Sequence, residues 1–251
     1  MHVLEQHEIA EADLRVLNPF SEDKLMLLGE VCRLEPGMRQ LDLCSGKGEL
    51  LCRWAQRWGT GGVGIDISTV FVPLAQARAD QLGVADRVRF ERGDAAQPSA
   101  DVLAAAPYDV VSCIGATWIG NGLVGTIELM RPLVRPDGLI LVGEPFWFSE
   151  STAADQAAVS ESPEAFATLS GTLDRFTSTG LELVEMVLAD HDSWDRYSAT
   201  QWWTVERWLR ANPDHPGHDE MRAYLVDGRR QYLAARRDRL GWGVFVLRAP
   251  A

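Results

Sequence analysis

The stretch Asp42-Leu43-Cys44-Ser45-Gly46-Lys47-Gly48 separates a short apolar run from a segment with helical spacing. A glycine turn between a strand and a helix lets the backbone bend tightly and approach a ligand. The first turn of such a helix also offers free N–H groups to that ligand. Because a plain strand-to-helix connection has the same pattern, this turn indicates a ligand site only if other residues support it.

Strands and helices alternate on both sides of this turn through the first 150 residues. This alternation is typical of a parallel, doubly wound α/β sheet, whose right-handed crossovers bring the C-terminal ends of the strands to one edge. Strands are predicted at 40–44, 62–66, 88–91, 108–114 and 139–143, and helices at about 21–34, 49–58, 68–82, 98–105 and 122–134.

The last hundred residues predict an extension of the same domain. Two helices are expected within 150–180, and two further strands at 181–189 and 242–247. Between these strands the sequence is helical in spacing and rich in tryptophan. We interpret the chain as a single domain, 1–251, with an N-terminal lid segment at 1–20 and an inserted helical cap at 191–240.

Composition and charge narrow the class of protein. The chain has 251 residues, 46% of them hydrophobic, which fits one domain with a sizeable core. Its net charge of −12 argues against a nucleic-acid partner, because duplex binding depends on clustered cations that neutralise phosphates. Six arginines between 222 and 239 lie at helical spacing and are interpreted as the solvated face of a helix.

Location and redox state follow from two further patterns. No apolar run approaches the ~20 residues that a membrane helix needs, and the N-terminus lacks the pattern of a secretory signal. The four cysteines contain no C-x-x-C pair, so they predict neither a disulfide framework nor a zinc site. We expect a cytoplasmic protein with reduced thiols, no metal and no membrane partner.

Two acids after the next two strands strengthen the interpretation of a ligand site. Asp66 ends the second predicted strand, 24 residues after Asp42, near the position where a nucleotide-binding fold places a carboxylate on the ribose hydroxyls. Asp94 follows the third strand and would reach the same ligand. Each acid alone could cap a turn, but three acids at three successive strand ends indicate an adenosine-containing cofactor.

The first loop favours S-adenosylmethionine over a dinucleotide. A dinucleotide fingerprint needs a small residue where Leu51 stands, because the helix and strand pack closely there. Asp42, at the start of the motif, suits a cation. S-adenosylmethionine carries an α-ammonium group and a sulfonium and has no pyrophosphate, so it fits an acidic loop.

On these residues the chain resembles the class I S-adenosylmethionine-dependent methyltransferases over nearly its whole length. In that family the first motif is an acid followed by G-x-G-x-G. Asp42, Cys44, Gly46 and Gly48 match this motif, with Cys44 in place of the first glycine. The resemblance implies a doubly wound, seven-stranded α/β sheet of the Rossmann-like methyltransferase type, with the last strand antiparallel.

The resemblance also implies roles for the later motifs. Asp66 would bind the ribose, Asp94 beside Ala95 would contact the adenine amino group, and the end of the strand 109–113 would face the methionine part. A closer similarity, to a bacterial branch of small-molecule methyltransferases near the quinone C-methyltransferases, rests on segments 115–119, 143–147, 194–197 and 241–243. The predicted cofactor site comprises Asp42, Cys44, Ser45, Gly46, Gly48, Asp66, Ile67, Asp94, Ala95 and Cys113.

Several residues are candidates for a general base, although in-line methyl transfer gains much of its rate enhancement from positioning alone. Glu144 ends the fifth predicted strand, where aromatic neighbours would raise its pKa and let it accept a proton near neutrality. Its alternative role is a hydrogen bond to the N-terminal lid segment. His191 and Asp192, just after the sixth strand, are the second candidates, with a structural hydrogen bond as the alternative for the histidine. His7, on the predicted N-terminal helix, is weaker still.

Aromatic residues are the candidates for binding the acceptor. Trp118, Trp147, Tyr197 and Trp202 could line a pocket for an aromatic or cationic compound, since indole faces attract cations. The tryptophans could equally be the core of the cap itself.

The sequence therefore predicts an enzyme that transfers a methyl group from S-adenosylmethionine to a small-molecule acceptor. Two alternatives remain open: a non-catalytic S-adenosylmethionine-binding protein, and a nicotinamide-dependent oxidoreductase, against which Leu51 argues. A monomer and a homodimer are both compatible with the sequence.

Overall fold

A computed structural model describes residues 1–152, 156 and 166–250 of the chain. Seven strands form one sheet: β1 (Arg39–Leu43), β2 (Gly61–Asp66), β3 (Val88–Arg92), β4 (Tyr108–Ile114), β5 (Val134–Trp147), β6 (Glu182–Leu188) and β7 (Leu240–Arg248). Their order is β3-β2-β1-β4-β5-β7-β6. Strands β1 to β5 are parallel, and β7 runs antiparallel to both β5 and β6. The predicted seven-stranded, doubly wound fold is confirmed.

Helices cover both faces of this sheet. They are α1 (Val3–Ala10), α2 (Glu22–Val31), α3 (Glu49–Trp58), α4 (Phe71–Leu82), α5 (Ala100–Ala104), α6 (Leu123–Met130), α7 (Leu169–Ser178), α8 (His191–Ala211) and α9 (His218–Gln231). A π-helical turn, Tyr232–Arg236, and a short turn, Arg237–Arg239, connect α9 to β7.

Serine hydroxyls bind the first free N–H groups at the starts of two helices. The Ser21 Oγ accepts a hydrogen bond from the Lys24 N–H at 3.2 Å, which satisfies a free donor in the first turn of α2. The Ser68 Oγ accepts from the N–H groups of Val70 and Phe71 at 3.0 and 2.9 Å, immediately before α4.

Two predicted elements have different bounds in the structure. Strand β5 continues to Trp147 instead of ending at 143, because its last four residues pair with β7 from Leu240 to Gly243. The helix expected to reach 134 ends at Met130 and continues as a 3₁₀ turn, since Pro132 has no N–H to donate. Of the two helices expected within 150–180, α7 is one; residues 153–155 and 157–165 lie outside the described residues.

The hydrophobic core has a layer on each side of the sheet, because successive residues of a strand face opposite sides. In β5, Ile140 and Val142 pack with α6 and α7, while Leu139 and Leu141 pack with α2 and α3. Trp54 of α3 is fully buried in the second layer. These layers fix the strand ends that carry the predicted site.

A separate small core joins the N-terminus to the helices between β6 and β7. Ala10 of α1 packs with Val205 and Leu209 of α8 and with Met221 and Leu225 of α9. Helix α1 therefore lies against α8 and α9, whereas Phe20 packs in the core layer that contains α2 and α3. Among the described residues, no helix is both long enough and apolar enough to cross a membrane.

Candidate active site

A cavity of about 960 Å³ lies above the C-terminal ends of β1, β2 and β4. Its floor is the loop 44–48, which we call the cofactor loop, together with the ends of these strands. One wall comes from residues of the N-terminal segment, 1–20, and the other from α8, α9 and the π-helical turn.

Three residues of the cofactor loop have left-handed backbone conformations. The φ angles are +61° at Cys44, +53° at Gly46 and +72° at Gly48. Cys44, in the place of the family's first glycine, therefore keeps the conformation that glycine adopts most readily. At Gly48 a Cβ atom would lie 2.4 Å from the Phe90 Cζ and 2.9 Å from the Ala75 Cβ, so the start of α3 requires glycine.

Asp66 holds the cofactor loop in place from the end of β2. Its Oδ2 accepts a hydrogen bond from the Gly46 N–H at 2.8 Å, and its Oδ1 accepts from the Ser68 N–H at 2.9 Å. The carboxylate is buried yet lines the cavity. Since each carboxylate oxygen can accept a second hydrogen bond, both retain capacity for a ligand hydroxyl.

Asp42 lies at the bottom of the cavity. The Ser112 Oγ donates to its Oδ1 at 2.5 Å. Burial, with a smaller contribution from the charge of Asp66, raises the pKa of Asp42 to about 7, although the Ser112 hydrogen bond acts in the opposite direction. A cation placed beside this carboxyl would favour its ionised form.

The cavity collects most of the residues predicted to bind the cofactor. Eight line it: Asp42, Cys44, Ser45, Gly46, Asp66, Ile67, Asp94 and Ala95. Gly48 and Cys113 are not among the lining residues, because Gly48 faces Phe90 and the Cys113 thiol is buried beside that of Cys44. Asp94 is exposed, and its Oδ1 accepts from the Ala96 N–H at 2.9 Å within its own turn.

Three of the four residues predicted to bind the acceptor line the same cavity. Trp118 is 69% exposed at its edge, and Tyr197 and Trp202 belong to the α8 wall. Trp147 lies outside the lining because it is buried against Leu240 below the cap. The alternative interpretation is that the tryptophans form a hydrophobic core. It fits Trp147, which is buried, but not Trp118, which is exposed.

Neither Glu144 nor His191 lines the cavity, whereas His7 does. Glu144 remains in the β5–β7 pairing opposite Gly243, and its buried Oε2 accepts from the Thr117 Oγ1 at 2.6 Å rather than from the N-terminal segment. Burial raises the pKa of Glu144 to about 7. His191 is exposed in the first turn of α8, with its ring 5.8 Å from that of Phe148.

Sequence reasoning missed a buried carboxyl behind the cavity wall, Glu11, whose partners His7, Tyr197 and Gln201 line the cavity. Glu11 is fully buried; its Oε1 accepts from the Tyr197 hydroxyl and, at 3.3 Å, from the Gln201 Nε2, and its Oε2 is 3.1 Å from the His7 Nε2. Burial raises the pKa of Glu11 to about 8. No local pattern marks this residue, since its partner Tyr197 is 186 positions away.

The arginine cluster between 222 and 239 is not entirely a solvated face. Arg236 lines the cavity, and burial lowers the pKa of its guanidinium. Arg237 instead pairs with Asp195 of α8 through two nitrogens, both 2.9 Å from carboxylate oxygens. Within the described part of the chain, no group of three or more His, Cys, Asp or Glu residues could hold a metal ion.

Known proteins with similar sequences and structures include S-adenosylmethionine-dependent methyltransferases. The methyltransferase domain family matches residues 34–207. An S-adenosylmethionine-dependent methyltransferase of Geobacter sulfurreducens, solved with S-adenosylhomocysteine, is 46% identical, with 98% of both chains covered and a TM-score of 0.91. One from Thiobacillus denitrificans, solved with the same ligand, is 44% identical, with 100% of this chain and 99% of that chain covered and a TM-score of 0.91. The uncharacterized protein YjhP of Escherichia coli is 44% identical over 241 residues, covering 95% of this chain and 96% of YjhP.

The chain belongs to the methyltransferase domain family, and within it to the class I S-adenosylmethionine-dependent methyltransferases. This confirms the predicted family, enzyme class and methyl donor.

Proposed function

We propose that S-adenosylmethionine binds above the cofactor loop and donates its methyl group to a small molecule held below α8 and α9. Asp42 binds the α-ammonium group, Asp66 the ribose hydroxyls, and Asp94 with Ala95 the adenine. The observation that carries this proposal is the meeting of two buried carboxylates, Asp42 and Asp66, at the floor of the cavity. Charge-assisted hydrogen bonds of this kind are among the strongest available to a protein.

The acceptor half of the cavity suits a compact aromatic compound. Tyr197, Trp202, Tyr224 and Tyr232 supply aromatic surface from α8, α9 and the π-helical turn, and Trp118 also lines the cavity. The total volume of about 960 Å³ is at the upper end of ordinary small-molecule sites, about 300–1,000 Å³. It therefore accommodates an extended cofactor and a small acceptor, but not a macromolecular segment.

The reaction is an in-line displacement at the methyl carbon. The acceptor's lone pair forms the new bond to carbon while the carbon–sulfur bond breaks, and the electron pair of that bond returns to sulfur to give S-adenosylhomocysteine. Holding the two reactants in line supplies much of the rate enhancement over the reaction in solution. The N-terminal segment and the helices at 191–240 act as the lid and cap that exclude water.

An acceptor that carries a proton must lose it during the transfer. We keep Glu144 as the base. Its Oε2 accepts from the Thr117 Oγ1 at 2.6 Å, and the sequence neighbours Pro145 and Ala116 line the cavity. The raised pKa of Glu144, about 7, suits a carboxylate that takes up a proton near neutrality. His191, exposed in the first turn of α8, is not retained.

The same proposal includes the setting of the enzyme. The net charge of −12 disfavours nucleic acid as a partner. The free cysteines, Cys32, Cys44, Cys52 and Cys113, fit a reducing compartment such as the bacterial cytoplasm. We expect a monomer or a homodimer.

Calorimetry tests the cofactor site first. The purified protein is titrated with S-adenosylmethionine, S-adenosylhomocysteine and reduced nicotinamide dinucleotide; binding of the first two and silence of the third is expected. Transfer of labelled methyl from S-adenosylmethionine to a panel of small aromatic compounds then separates an enzyme from a non-catalytic binding protein. Binding of the nicotinamide alone would overturn the cofactor assignment.

A further inference from the structure

Lys47 connects the cofactor loop to the N-terminal segment. Its ammonium donates three hydrogen bonds to main-chain carbonyls of that segment, at 2.8 Å to Glu11, 2.8 Å to Ala12 and 2.7 Å to Leu14. An ammonium has three N–H donors, so these carbonyls use all of them. The Lys47 ammonium also lies 5.6 Å from the centre of the Phe71 ring.

The choice of lysine at this position is itself informative. The chain contains 24 basic residues, and only Lys24 and Lys47 are lysines. An ammonium is a compact point charge that can direct three donors to converging carbonyls, whereas a guanidinium is a planar fork. A chain that otherwise uses arginine keeps lysine where three carbonyls converge on one atom.

The segment that Lys47 binds, residues 11–14, continues directly into the wall of the cofactor cavity. Residues 15–19 line the cavity. Leu17 lies against the cofactor loop, since its Cδ1 would be 2.8 Å from a Cβ placed on Gly46. The Lys47 hydrogen bonds therefore fix the part of the N-terminal segment that crosses the cavity.

Other contacts attach the same segment to α4 and α8. The Ser68 Oγ donates to the Glu8 Oε1 at 2.6 Å, and the Thr204 Oγ1 donates to the Asp13 Oδ2 at 2.9 Å. Arg207 binds both oxygens of Asp13 at 2.8 and 2.7 Å. Lys47 differs from these contacts because it comes from the cofactor loop itself.

We infer that Lys47 is a positioning residue that holds residues 11–17 across the bound cofactor, so that cofactor exchange requires its three hydrogen bonds to break. The inference rests on the proposed cofactor site above the loop 44–48. It assigns Lys47 no contact with the reacting atoms.

The decisive variant is Lys47→Arg, which keeps the charge and changes the geometry. Lys24→Arg is the matched control, because Lys24 lies in the first turn of α2 and does not line the cavity. Dissociation of S-adenosylhomocysteine is followed by stopped-flow tryptophan fluorescence. Lys47→Arg should raise the dissociation rate at least tenfold, and Lys24→Arg should stay within twofold of the wild type. Lys47→Met replaces it if the arginine variant fails to fold by circular dichroism.

Hydrogen exchange of the ligand-free protein gives a second readout that is independent of the cofactor. Amides within 11–17 should exchange at least tenfold faster in Lys47→Arg than in the wild type or Lys24→Arg. If amide exchange within 11–17 is unchanged, the three Lys47 hydrogen bonds do not hold this segment. If exchange is faster but dissociation of S-adenosylhomocysteine is unchanged, Lys47 has no role in retaining the cofactor. If the wild type itself fails to bind S-adenosylhomocysteine, the proposed cofactor site and the role of Lys47 in retention are both wrong. Hydrogen exchange then still tests whether Lys47 holds residues 11–17.

Discussion

Asp66 has two roles at the scale of a single residue. Its oxygens accept from the N–H groups of Gly46 and Ser68, so the carboxylate shapes the cofactor loop before any ligand arrives. The proposed ribose contact uses the remaining lone pairs of the same oxygens. A substitution here therefore affects both the loop and the ligand.

Asp66→Ala should weaken S-adenosylhomocysteine binding at least tenfold, about 1.4 kcal/mol, because it removes a charge-assisted hydrogen bond together with the support of the loop. Asp94→Ala, at the proposed adenine contact, should weaken binding less than Asp66→Ala, since Asp94 is exposed and caps its own turn. Calorimetry measures both. An Asp66→Ala protein with wild-type affinity would refute the proposed site.

Glu144→Gln tests the proposed base. Burial raises the pKa of Glu144 to about 7, so the fraction of ionised carboxylate, and with it turnover, should rise between pH 6 and 8 in the wild type. Glutamine accepts no proton, so turnover should fall by about 10²-fold or more, while S-adenosylhomocysteine affinity holds. Initial rates across this pH range check the prediction; equal turnover would remove Glu144 from the mechanism.

The glycine loop illustrates the scale of the secondary-structure element. Gly48 begins α3 and lies against Phe90 of β3 and Ala75 of α4, so a single missing side chain lets three elements meet. Gly83, which ends α4, has a similar φ of +66°, but a Cβ placed on it would have no neighbouring atom within 4 Å. The two glycines share a backbone conformation and differ in their surroundings.

Gly48→Ala should destabilise the protein by about 2–5 kcal/mol, combining left-handed backbone strain of about 1–2 kcal/mol with overpacking of about 1–3 kcal/mol. Gly83→Ala should show only the strain, about 1–2 kcal/mol. Urea unfolding measures both variants, and their difference isolates the contact with Phe90. Equal losses would mean that Phe90 moves aside without cost.

The elements differ in how far their sequence alone predicts them. The bounds of α3, Glu49 to Trp58, follow from glycines at both ends and are predicted correctly. The length of β5 is not predicted correctly, because its last residues pair with β7, about a hundred positions later in the chain. Motif residues at strand ends were predictable since the parallel sheet brings those ends to one edge. The contact of Glu11 with Tyr197 has no such local signal, because it depends on the docking of α1 on α8.

At the scale of the whole molecule, several carboxyls are buried where the N-terminal segment, the sheet edge and α8 meet. Burial raises the pKa of Glu11 to about 8, and those of Asp42 and Glu144 to about 7. A carboxyl with a raised pKa binds its proton more tightly in the folded state than in the unfolded state. Its contribution to stability is therefore fully present below the unfolded pKa of about 4 and is lost as pH rises through the folded pKa.

The free energy of unfolding should accordingly fall between pH 6 and 8, and Glu11→Gln should reduce that fall. Each group contributes up to about 1.4 kcal/mol per pH unit within this window, so Glu11 accounts for a loss on the order of 2 kcal/mol. Three charged or titratable neighbours shift the pKa of Glu11 without changing the direction of the effect. Lys47 lowers this pKa, Asp66 raises it, and the His7 Nε2 lies 3.1 Å from the Glu11 Oε2, but burial remains the largest cause, so stability still falls as pH rises. Glu5→Gln, on the exposed side of the same helix, is the control and should keep the wild-type slope. Urea unfolding at pH 6, 7 and 8 provides the slopes; if Glu11→Gln loses as much stability as the wild type, Glu11 is already ionised in the folded protein at pH 6.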